Sequence, residues 1–339
     1  MAFLSKLTAR MLQPKIGAAA LIAYAFGKHP GWDDHMADVG IAHPDILTFK
    51  QQFYVEALAG NINSGAWKHL PEPELIPMFD HQFAALNDDT AMIGAMWASS
   101  DGKGRTLFPM IGLIFSRGLS PMHVAHIAGP IVETFQASAH EQKIAGGVQT
   151  ALDAAQQQLN AALPSIPLMT RAVPMMTGLQ TAALIEPIDD ARRRARIVYC
   201  LQRVLEQTRS QTQRQSQNGS FFEHVRLPQT VESPQTPASR SRVPMTALSW
   251  AALLLAQLGT PLPVLSVTYT GRPGNSWNDL IIGAIKTASI FPLRASNEKI
   301  PPCSEIPFEL SDKFVKACDE FLSACRKAGD QPAPLLPSP

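Results

Sequence analysis

The chain has 339 residues, 45% of them hydrophobic and 17% charged, a composition that can bury a sizeable core and excludes global disorder. A formal net charge of +1 gives no bulk attraction to nucleic acid or anionic membrane. The four cysteines, Cys200, Cys303, Cys318 and Cys325, form no Cys-x-x-Cys pair, so a zinc knuckle is not expected and buried thiols in a reducing cytoplasm are.

Residues 1–15 read as an amphipathic lead-in, and the apolar run 16–26 as a strand. Lys6, Arg10 and Lys15 ahead of that run outline a secretory signal. Pro14 interrupts the charged part, and cleavage would remove the strand, so a cytoplasmic chain is the favoured reading. No apolar run reaches the roughly eighteen residues a membrane-spanning helix needs. Gly27, Pro30 and Gly31 then make a turn in which Phe26 to His35 carry a cation, two aromatics, two carboxylates and two imidazoles. Polar turns on a rigid support often carry function. Pro44 opens a helix with Ile46, Phe49, Phe53 and Val55 to Leu58 as its apolar stripe and Gly60 as its stop. A proline-broken connection spans 67–77, and 78–86 reads as a short helix. Residues 92–98 and 108–115 read as a strand pair joined by the turn 101–105. Alternation sends Phe108 inward and Leu107 outward. Ser120-Pro121 starts a helix expected to kink or break at Gly129-Pro130, and a polar helix follows at 148–163.

In the second half, 189–215 reads as a long helix with Ile197, Val198, Leu201, Val204 and Leu205 on one face and Asp189 and Asp190 at its positive end. Its arginines, Arg192, Arg193, Arg194, Arg196, Arg203, Arg209 and Arg214, read as a solvated face whose stems cover apolar surface. A buried helix at 246–259, capped by Thr246, precedes strands at 264–270 and 277–283, with 289–293 a further strand or part of a strand–helix–strand passage. The helix 311–328 turns Phe314, Cys318, Phe321, Leu322 and Cys325 inward. The expected fold is α/β: a mostly antiparallel central sheet with helices on its faces, followed by a second, smaller α/β region. The divisions are an α/β domain at 1–145, a helical segment at 146–215, a flexible linker at 216–245 rich in Ser, Gln, Pro and Arg, the second region at 246–329, and a disordered proline-rich tail at 330–339.

Gly27, Lys28 and Pro30 follow the first strand, and Asp101, Gly104, Arg105, Phe108 and Pro109 lie between two later ones. In that order and context they resemble the TagF (ImpM/SciT) family of type VI secretion accessory proteins. That family opens with a strand, Gly-Lys-Leu-Pro and a Gly-Asp-Phe step, and later carries Asp-x-x-Gly-Arg-x-Phe-Pro. The likeness is confined to the N-terminal part. His29 replaces an apolar residue, Asp33-Asp34 blur the Gly-Asp-Phe step, and one extra residue separates Arg105 from Phe108. The resemblance implies a non-enzymatic, cofactor-free regulator in the bacterial cytoplasm whose partner is another type VI component. If both turns meet at one rim of the sheet, Lys28, Asp33, Asp34 and Arg105 would surround Trp32 as an apolar anchor for that partner.

Other chemistries are weighed on the same residues. His29, Asp33, Asp34 and His35 offer zinc or manganese donors for a metal-dependent hydrolase, but one short loop must make three or more converge. A solvated turn whose carboxylates cap backbone N–H groups is the favoured reading, with no metal. Ser99 and Ser100 beside Asp101 lack a Gly-x-Ser-x-Gly elbow. Gly102-Lys103-Gly104-Arg105 runs into a strand, unlike a nucleotide-binding loop. A scaffold subunit of an unrelated bacterial system is the remaining alternative.

Overall fold

The computed structural model describes residues 19–170, 175–214, 221–228, 243–269 and 276–339. The lead-in 1–15, the start of the first apolar run and most of 216–245 lie outside the described residues. Strand β1 (Ala20–Gly27) reads as an unbroken apolar run because both of its faces are covered. Leu21, Ala23 and Ala25 join one core, and Ile22, Tyr24 and Phe26 join the other. With β2 (Val39–Gly40), β3 (Asp80–Asn87), β4 (Thr90–Trp97), β5 (Met110–Arg117), β6 (Phe222–Pro228), β7 (Val264–Tyr269) and β8 (Trp277–Gly283) it builds one eight-stranded antiparallel sheet, ordered β2-β1-β5-β4-β3-β7-β8-β6.

Helices cover both faces. On one side lie α3 (Pro121–Glu141), α4 (Ala145–Ala162), α5 (Gly178–Ile185), α6 (Ala191–Arg214), α7 (Val243–Leu258) and α9 (Asp312–Ala328). On the other, α1 (Pro44–Phe49) passes through a π-helical stretch (Lys50–Leu58) into α2 (Ala59–Ser64), beside α8 (Thr287–Ile290). The α/β class with an antiparallel sheet is therefore as expected. The predicted inward sets of α6 and α9 are all buried.

Several local readings are corrected by tertiary contacts. The second half does not make a separate sheet, because β7 pairs with β3 and carries β8 and β6 on the same ladder. Part of the expected linker is the edge strand β6. Residues 80–87 are a strand because Asn87-Asp88-Asp89-Thr90 makes a tight hairpin, with Asp88 at φ 49°, that lays β3 on β4. Helix α3 continues through Pro130, held by its packing on β4, β5, α4 and α7. Gly60 is helical, and the helix ends at Gly65 instead, at φ 69°. Thr246 lies inside α7, not at its cap, and 291–294 is a 3-10 turn instead of a strand. Residues 330–339 are docked: Leu336 is buried, and its N–H donates to Gln257 Oε1 (2.9 Å) while Gln257 Nε2 donates to Pro334 O (3.0 Å).

Candidate functional site

Strands β1 and β4 both lie antiparallel to β5, which sits between them. They therefore run parallel to each other, and the turns that leave their C-terminal ends emerge at the same end of the sheet. The first turn begins at Gly27, whose φ of 119° and approach to Pro109 O, 2.4 Å from where a Cβ would sit, admit no side chain. Its chain reverses and closes with a bridge between Lys28 and His35. The second turn is built by Asp101. Its Oδ1 accepts from the N–H groups of Lys103 and Arg105, each at 3.0 Å, and Gly104 takes the left-handed conformation at φ 77°.

The two turns are knit together. Lys28 Nζ donates to Asp101 Oδ2 (2.9 Å) and pairs with Asp34. Arg105 Nε donates to Asp101 Oδ2 (2.6 Å), and its Nη2 reaches Asp33 O (2.9 Å) and Asp34 Oδ1 (3.1 Å). Gly102 N–H donates to Trp32 O at 2.7 Å. Burial works to raise the Asp101 carboxyl, but hydrogen bonds from Lys28 and from the Arg105 backbone and side chain outweigh it and hold it well below the usual carboxylate range. The hydrogen bond from Lys28 likewise lowers Asp34.

The predicted partner-binding residues are thus brought together, but two differ from expectation. Lys28 is 4% exposed and faces Asp101, so it organises the rim from within instead of facing solvent. Trp32 is half-buried, edge-on to His29 with centroids 5.5 Å apart and packed against the core, so it props the turn and does not project as a free anchor. Asp33, Asp34 and Arg105 remain exposed. Phe108 precedes the strand and is half-buried against His35 and Tyr54, not in the deep core, while Leu107 is exposed as expected.

Of the four proposed metal donors two meet, His35 Nδ1 lying 3.4 Å from Asp34 Oδ1. His29 is buried, with Nδ1 accepting from Gly31 N–H (3.0 Å), which leaves Nε2–H to donate to Ala139 O (3.0 Å). Desolvation is the main reason its pKa is lowered. His35 lies against Tyr54 and Phe108, and Asp34 is held by Lys28 and Arg105. Among the described residues no group of three or more His, Cys, Asp or Glu side chains converges as a donor set. No helix among them is long and apolar enough to cross a membrane. The arginines of α6 are largely engaged within the chain: Arg192 pairs with Asp312 (2.7 Å), Arg193 with Glu305, Arg194 with Asp319 (3.3 Å), and Arg196 Nη1 donates to Ser304 O (3.2 Å).

One feature of the site has no signal in the sequence. A groove of about 530 Å³ opens beside the rim, with Phe79 and Trp97 in its wall, Met78 and Leu107 exposed at 62% and 49%, and Lys143 and Arg294 supplying charge. Arg294 arrives from the far end of the chain, and no local pattern links it to Met78. A comparison of the chain with known proteins finds no matching family model, curated protein or solved structure.

Proposed function

We propose that this chain is a non-enzymatic accessory protein of bacterial type VI secretion, working in the cytoplasm by protein contacts made at the two-turn rim. The observation that carries this reading is the sharing of Asp101: one carboxylate binds Lys28 of the first turn and Arg105 of the second, so two distant motifs form a single surface. The resemblance of those same motifs to the TagF family supplies the system. The exposed residues Asp33, Asp34 and Arg105 would provide the polar rim of the contact, with the accessible part of Trp32 at its edge. Rim charges chiefly govern association rate and salt dependence.

The test is affinity measurement between the purified chain and each purified type VI component encoded beside it. Arg105→Glu is expected to weaken the productive pair by about tenfold, with an altered salt dependence and unchanged circular dichroism. Binding to none of the components, or binding by Arg105→Glu equal to the parent, would overturn the proposal.

A further inference from the structure

The groove beside the rim is apolar in its walls and cationic in its charge. Arg294 donates through Nε to Ile76 O (2.9 Å) and through Nη2 to Pro77 O (3.0 Å), and its guanidinium lies 5.2 Å from the centre of the Phe79 ring. These contacts are with neutral groups, so they fix the guanidinium in place without neutralising it. Lys143 follows α3 and is exposed. Neither cation has a carboxylate partner among the described residues, and none of the described residues lining the groove is Asp or Glu. The contrast is with the rim a few residues away, where Lys28 and Arg105 both meet aspartates. Met78 and Leu107 add two large apolar side chains left in water at the same place. A surface that joins unneutralised cations to exposed apolar side chains is complementary to a chain of opposite charge with an apolar residue to bury.

We propose that this groove docks an acidic segment of the partner protein, with carboxylates meeting Lys143 and Arg294 and an apolar side chain between them seated against Met78 and Leu107. The inference rests on the reading that the chain works by protein contact, and it names the chemistry of what is contacted.

The probe is a labelled peptide of glutamates flanking one leucine, titrated against the full chain by fluorescence anisotropy beside a peptide with glutamine at every glutamate. The expected result is saturable binding of the acidic peptide, about tenfold or more tighter than the glutamine peptide, and weakened by added salt. Lys143→Glu and, separately, Met78→Asp should each weaken it by a similar factor with circular dichroism unchanged. Both positions are exposed, so neither variant is expected to disturb the fold. Absence of saturable binding, equal binding of the two peptides, or parent-like binding by Lys143→Glu would overturn the proposal. Arg105 does not line the groove. If Arg105→Glu loses a type VI component while the acidic peptide never binds, the groove proposal alone fails. If the peptide binds as expected and no component does, the type VI reading fails and the groove proposal stands.

Discussion

Two buried ion pairs in this molecule use the same chemistry to different ends. At the rim, Lys28 and Asp101 are 4% and 0% exposed, yet their network continues into Asp34 and Arg105, which face solvent. At the other side of the sheet, Arg226 of β6 and Asp279 of β8 are 1% and 2% exposed, and their network turns inward. Asp279 accepts from Arg226 Nε (2.8 Å), Arg226 Nη2 (2.9 Å), Trp277 Nε1 (3.0 Å) and His224 Nε2 (2.8 Å). Arg226 also donates to the carbonyls of Pro292, Ala295, Ser296 and Ile300, tying the 292–300 segment to the sheet. A sealed pair whose every donor is used within the chain has nothing left for a partner. A buried pair that hands its charge on to exposed groups rigidifies a surface, and rigid presentation lowers the cost of binding.

Breaking the sealed pair should have the largest effect. Asp279→Ala leaves the Arg226 charge buried and is expected to cost about 3–5 kcal/mol, read by chemical denaturation. A pH titration of stability probes the same neighbourhood. His81 of β3 is buried, with Nε2 donating to Leu293 O at 2.8 Å, and burial pushes its pKa down to about 4. An unfolded histidine takes its proton near pH ~6.5. This contribution is therefore complete above ~6.5 and is lost as pH falls through the window to about 4, amounting to about 3 kcal/mol. His81→Gln, which keeps a donor for Leu293 O, should flatten that slope; an unchanged slope would assign it to other groups.

At the rim, Asp101→Asn keeps an oxygen for the turn's N–H groups but removes the charge between Lys28 and Arg105. It should lower the melting temperature less than Asp279→Ala does, because water can reach the open side, and should speed amide exchange at Lys103 and Arg105. Losses as large as those of Asp279→Ala would mean that the rim is as sealed as the Arg226–Asp279 pair. Phe108→Ala should cost about 1–2 kcal/mol, since only half a side chain's burial is lost. Arg105→Ala should cost about 1 kcal/mol, because it removes a hydrogen bond to the buried Asp101 carboxylate that Lys28 still neutralises, while the loss of Arg105 from the rim is read in partner affinity.

Much of the fold was legible in the chain. The apolar runs of β1, β4, β5, β7 and β8 and the amphipathic faces of α6 and α9 were readable because side-chain periodicity reports which faces are buried. Where local and tertiary signals competed, local reading failed. Residues 78–86 looked like a short helix, and only the hairpin at Asp88 and the ladders with β4 and β7 made β3 a strand. The tail looked unable to fold because its prolines form no regular element, yet Gln257 supplies hydrogen bonds that no tail residue could.

For the site, sequence alone determined the two motif turns, their glycines and the kinds of charge they carry, because turn chemistry is written in adjacent residues. The tertiary structure decided which of those charges meet. That Lys28 meets Asp101 follows from the strand order β1-β5-β4, whereas the half-burial of Trp32 depends on its packing against the core, and the meeting of Met78, Lys143 and Arg294 in one groove on how the segments after α3 and α8 lie beside the sheet. Strand order is set by the burial of both sheet faces at once, a property of the whole chain that no window of neighbouring residues contains.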